Sequence, residues 1–154
     1  MRTREDYVMA SVSTYLNFMG TTEEAFAFYK SVFGTEYVGP IHRMSDAPPM
    51  PGAPPMSDAE KKLVMHVALP ILAGHVLHGT DALESMGHKL VAGNNFSINL
   101  APDTRAETDA LFAKLSAGGK AEMPLMDMFW GSYFGTCVDK FGVRWMFNCE
   151  EKKA

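Results

Sequence analysis

The chain repeats itself. Slid along its own length by 82 to 84 residues, it matches in order and in kind. At a shift of 82, Asn17 meets Asn99 and Phe18 meets Leu100. At 83, Thr21, Glu24, Phe28, Tyr29 and Val32 meet Thr104, Glu107, Leu111, Phe112 and Leu115. At 84, Gly34, Pro40 and Ile41 meet Gly118, Pro124 and Leu125. A strand, a helix, a glycine stop and a proline-bearing strand thus occur twice. Self-similarity of this kind constrains architecture more than composition does. Each copy reads β-α-β-β-β, over about Ser13–Leu83 and Asn94–Glu150. One copy alone leaves an open, curved sheet with an exposed face. The fold class expected is α+β, with the pair of modules forming a curved mixed sheet or half-barrel cleft and the helices outside it.

Local patterns carry the elements. Ser13 to Met19 is apolar and β-rich. Thr21-x-x-Glu24 fits a capping box before Glu23 to Phe33. Ala25, Phe28, Tyr29, Val32 and Phe33 then fall on one helical stripe, and Gly34 suits the C-cap. Glu36 to Met44 is a weaker strand interrupted by Gly39-Pro40. The prolines Pro48, Pro49, Pro51, Pro54 and Pro55 exclude a ladder or helix within Ser45 to Lys61, which predicts a long loop, mobile or lying over the cleft mouth. Lys62 to Leu72 and His75 to His78 read as a hairpin turning at Ala73-Gly74. In the second copy, Asn95 to Leu100 is a strand and Thr104-x-x-Glu107 opens a helix striped by Leu111, Phe112 and Leu115. Lys120 to Met128 is a strand or edge, and Tyr133 to Val138 and Val143 to Asn148 form a last hairpin around Asp139 to Gly142.

A chain of 154 residues defaults to a single domain. It buries roughly two-thirds of its unfolded surface and needs no disulfide or metal to fold. The net charge of −4 argues against nucleic acid, and no apolar run approaches a membrane span. Met1 to Ala10 lacks an apolar core and reads as a flexible tail rather than a secretory signal. A hairpin turning at Lys140 to Gly142 sets Cys137 opposite about Trp145, so Cys149 lies roughly 13 Å away. That exceeds the reach of a disulfide, and two free thiols point to the reducing cytoplasm.

The stretches YLNFMGTTEEAFAFYKSVFG, VMHVAL, MPLMDMFWGSYFG and VDKFGVRWMFN resemble the PhnB-like branch of the glyoxalase/bleomycin-resistance (vicinal oxygen chelate) superfamily. The resemblance spans Ser13 to Asn148 and is most specific at Phe129-Trp130-Gly131 and Asp139 to Met146. The branch is often labelled a demethylubiquinone methyltransferase, but the sequence has no glycine-rich nucleotide loop to support methyl transfer. The resemblance implies paired βαβββ modules, a homodimer, and a concave cavity per module pair. The metal enzymes of the superfamily place ligands on the first and last strand of each module. Those positions carry over to about Thr14, His78, Asn95 and Met146. Only His78 is a plausible donor, so no metal and no cofactor are expected.

Candidate chemistry therefore centres on His78, as a general base or a hydrogen-bonding group, with His66 as a second polar group in the cavity. Asn17 and Asn99 occupy the same place in both modules and could serve as pocket amides. Phe129 and Trp130 could form an aromatic wall for an organic ligand. Two readings follow. One is a metal-free binding protein for a small organic ligand. The other is a lyase, isomerase or dioxygenase of the same superfamily, with His78 central.

Overall fold

The computed structural model describes residues 9–154. Of the tail expected over 1–10, residues 1–8 lie outside the described residues. The first module runs β1 (Thr14–Phe18), α1 (Thr22–Phe33), β2 (His42–Arg43), a short α2 (Asp58–Lys61), β3 (Val64–Pro70) and β4 (Val76–Asp81). The second runs β5 (Ile98–Leu100), α3 (Arg105–Ser116), β6 (Lys120–Asp127), β7 (Tyr133–Val138) and β8 (Arg144–Cys149). The two four-stranded sheets have strand orders β1-β4-β3-β2 and β5-β8-β7-β6. In each, the first strand lies parallel to the last and the other pairings are antiparallel. The repeat seen in the sequence is this topology used twice. The two main helices are 12 residues each and displaced by 83 positions.

Each helix covers one face of its own sheet and leaves the other face open. On β4, Leu77 and Gly79 face α1, and their partners on β3 are Leu69 and Val67. Gly79 is required there. A Cβ would sit 2.4 Å from Cε2 of Phe26, so the helix can approach the strand only over a bare backbone. One continuous core joins the modules. Tyr29 and Phe33 of α1 reach Trp145 of β8, with ring centroids 5.6 and 5.8 Å apart, and Phe18 meets Phe141 at 6.4 Å. The sheets themselves stay separate, so each module keeps its own open face.

Some expectations are corrected. The strand expected over Glu36 to Met44 shortens to His42–Arg43, because Gly39 adopts a φ of 74° and Pro40 removes a donor. The strand expected from Asn95 begins only at Ile98, leaving Phe96 exposed. Thr21 precedes α1 but makes no side-chain capping bond. Thr104 does, accepting from the Glu107 N–H at 3.1 Å. The buried stripe of α1 includes Thr22 and Phe26, which the spacing alone omits. The proline loop contains no strand, as expected, but the exclusion of a helix fails at its end, where the chain has passed the last proline, Pro55. The loop's last turn is the helix α2, where Ser57 accepts from the Glu60 N–H. Glu60 also accepts the Ser85 hydroxyl, which ties the loop to the chain after β4. Together with Met19, Leu63 and Leu83 they line a depression of about 520 Å³.

Candidate functional site

Period-two alternation fixes which side chains reach the open face of the first sheet. Across β1 and β4, Tyr15 stands opposite His78 and Asn17 opposite Thr80. Across β3 and β4, Ala68 stands opposite His78, so His66, two residues before Ala68, shares that face. The alternation breaks at Val64, which is buried where the β2–β3 register shifts. Both histidines keep partial exposure, and Tyr15 is 52% exposed. These residues are held by the sheet and not by a loop, which fixes their geometry.

The structure brings His66 and His78 into direct contact. Nε2 of His66 lies 2.9 Å from Nδ1 of His78. The Tyr15 ring stacks on His78 at 5.7 Å with a 13° interplanar angle and reaches the His66 ring at 6.3 Å. His42 lies opposite His66 on β2. Burial holds the His66 imidazole below its usual titration range, and the neighbouring His78 and His42 add to the effect. The pair is thus an imidazole couple with an aromatic platform, on a face open to solvent. Chemically it can donate and accept hydrogen bonds, exchange a proton, and stack a planar group.

The other expected residues fall elsewhere. Asn17 is exposed on the same face, opposite Thr80. Asn99 is exposed on β5, and it lines a depression shared with Thr14, His75 and Phe96 rather than with His78. Phe129 and Trp130 form the turn between β6 and β7, and are 98% and 53% exposed. Their aromatic neighbours are each other and Phe134 of the second sheet. They do not join the histidine pair within one chain. Trp145, by contrast, is fully buried in the core.

A superfamily metal centre does not fit these residues. Thr14 bonds Nε2 of His75 at 2.9 Å, and His78 is engaged by His66. Asn95 and Met146 offer no charged or imidazole donor. Among the described residues, no group of three or more His, Cys, Asp or Glu is gathered closely enough to hold a metal. The cysteines carry no chemistry either. Cys137 stands opposite Trp145, as the hairpin reading requires, and both thiols are free and buried. Burial, then Asp139 and Glu122, push the Cys137 thiol up to about 12, so it stays protonated and inert.

Sequence reasoning missed three residues. Tyr15 was legible as the strand neighbour of Asn17 on one face. Asp81 and Asp139 are buried carboxylates whose roles depend on distant donors. Asp81 takes the N–H groups of Gly20, Thr22 and Val64 and the Thr22 hydroxyl, and so caps α1 from the end of β4. Asp139 takes the Tyr29 hydroxyl at 2.6 Å, Trp145 Nε1 at 2.9 Å, and the N–H groups of Phe141 and Val143. The Asp139-to-Trp145 motif is therefore a structural clasp between the modules.

The family model described as 3-demethylubiquinone-9 3-methyltransferase matches residues 10–147. The chain belongs to that family. It is 31% identical over 144 residues to the Escherichia coli K12 protein YjdN, covering 89% of this chain and 93% of that one. The crystal structure of PA1353 from Pseudomonas aeruginosa is 32% identical, covers 92% of this chain and 98% of that one, and superposes with a TM-score of 0.78. A Bacillus cereus structure titled as a putative 3-demethylubiquinone-9 3-methyltransferase, PhnB protein, is 28% identical, covers 91% and 99% of the two chains, and gives 0.70. The fold is that of the glyoxalase/bleomycin-resistance proteins. No helix among the described residues is long and apolar enough to cross a membrane.

Proposed function

We propose that this protein binds a small organic ligand on the open face of its first module, without a resident metal, as a homodimer in the reducing cytoplasm. The observation that carries the reading is the His66–His78 contact beneath a stacked, exposed Tyr15. Ligand sites combine an apolar or aromatic surface with a few convergent polar groups. This face supplies both, and its polar groups are fixed by three adjacent strands.

A second copy is the natural cover. The open face of the second sheet offers Met146, Phe134 and Thr136, with Trp130 edge-on to Phe134 at 6.0 Å. On that face the buried Oδ1 of Asn148 has no hydrogen-bond partner. An isologous dimer sets one chain's histidine face against its partner's aromatic face, twice. Phe129 and Trp130 then reach a ligand only from the partner subunit. The enzyme reading also has an observation in its favour. A histidine whose proton is disfavoured by burial first, and then by the neighbouring His78 and His42, is available to accept a proton from substrate.

The test is ligand-observed NMR screening of aromatic and heteroaromatic fragments. Hits should be lost in the doubly substituted Tyr15→Ala, His78→Ala protein, whose substitutions lie outside the buried core of the chain. Hits that survive in that variant would overturn the reading.

A further inference from the structure

The chemistry of the site is one-sided. Tyr15 faces the pair from β1, His42 from β2, and His66 and His78 from β3 and β4. Asn17 and Thr80 complete the face. No carboxylate stands among them. The neighbouring charge on β2, Arg43, is already engaged by both oxygens of Glu23 at 2.8 and 2.9 Å. A face whose described residues supply imidazole, hydroxyl and amide groups and no carboxylate suits an anionic ligand better than a cationic one.

The 2.9 Å nitrogen contact adds a condition. One facing nitrogen must carry a hydrogen and the other must accept it. The contact therefore exists with no net charge or with one extra proton on the pair. A second proton places hydrogens on both facing nitrogens, and the contact opens. Two imidazolium N–H groups then project beside the Tyr15 ring, and no carboxylate stands among the described residues of this face to receive them.

We infer that His66 and His78 form a proton-gated receptor for a planar organic anion, a carboxylate on an aromatic or conjugated body, with Tyr15 as the stacking platform. The inference rests on the proposed ligand face and adds to it the charge of the ligand and the pH at which it binds. Protonation comes from solvent, and the carboxylate takes up the two N–H groups that the opened pair exposes. By linkage, a bound anion must raise the titration range of both histidines by the amount that protonation tightens its binding. Burial and the neighbouring histidines disfavour the charged form of His66, so the empty site stays closed near neutrality.

Calorimetry with benzoate, and with benzamide as its uncharged analogue, separates the possibilities. Benzoate stays ionised between about pH 5.5 and pH 8, the range in which histidine titrates. Benzoate affinity should rise by about tenfold or more toward the lower pH, while benzamide affinity stays level. His66→Gln keeps a hydrogen-bonding group but cannot take a proton, so it should flatten the benzoate profile. Tyr15→Ala should weaken both ligands at both pH values. Proton NMR of the imidazoles should show both titrations moving up when benzoate is added. Equal binding of both ligands at both pH values overturns the proton gate and leaves the ligand face standing. A parallel rise for benzamide also overturns it, since the proton would then act on the fold rather than on the ligand's charge. No binding of either ligand, at either pH, sinks the gate, and fragment hits that survive in the Tyr15→Ala, His78→Ala protein sink the ligand face as well.

Discussion

A carboxylate buried between two modules needs a donor for each lone pair, or it costs more than it contributes. Asp139 meets that requirement with two side-chain donors and two backbone donors. Asp139→Ala strips a partner from Tyr29 and Trp145 together, and should cost about 3–5 kcal/mol in urea unfolding. Tyr29→Phe removes one bond to the same carboxylate and should cost about 1.5–3 kcal/mol. A loss below about 1 kcal/mol for Asp139→Ala would mean that the clasp is not needed. At His66 the folded state disfavours the proton relative to the unfolded chain. The unfolded state therefore binds more protons between the lowered folded value and about 6.5, and stability rises with pH through that window. Thermal midpoints should fall on acidification from about pH 7.5 to pH 5.5, less so in His66→Gln. Placing His66 and His78 on strands was within reach of the sequence. Their contact was not, because it depends on the register of a hairpin turned by Ile71 to His75, with Ala73 at a φ of 55°.

At the scale of elements, the two helix starts look alike in sequence and differ in structure. Thr104 caps α3 with its own side chain, whereas α1 takes its cap from Asp81, far along the chain. Thr104→Ala should cost about 1 kcal/mol and Thr21→Ala close to nothing, read by denaturant midpoints. Equal losses would contradict this assignment. A capping box is a local pattern, and a local pattern cannot register a carboxylate delivered by a strand paired across 59 residues. Gly79→Ala tests the approach of α1 to β4. The added methyl meets the Phe26 ring, and overpacking of this kind costs about 1–3 kcal/mol. The strand β6 was legible as an edge from Pro124, and its exposure along most of its length agrees. Lys120, Glu122 and Asp127 guard it against further pairing.

For the whole molecule, the repeat made the topology readable before any coordinate, because each module must bury a helix on a sheet and only a second module extends that core. What the repeat could not convey is how the open faces are used, since Asn17 and Asn99 are equivalent by position yet look onto different surroundings. The proposed dimer has a mass of about 34 kDa, twice the 17.0 kDa chain, and light scattering at tens of micromolar should return it. A 17.0 kDa species would remove the partner's aromatic turn from the site. The most direct measurement is a backbone amide chemical-shift map of the isotope-labelled protein saturated with a fragment hit. The largest shifts are expected in one contiguous patch over Tyr15, Asn17, His66, Ala68, His78 and Thr80. Largest shifts around Leu63, Leu83 and Glu84, with the histidine face unmoved, would contradict the proposed ligand face.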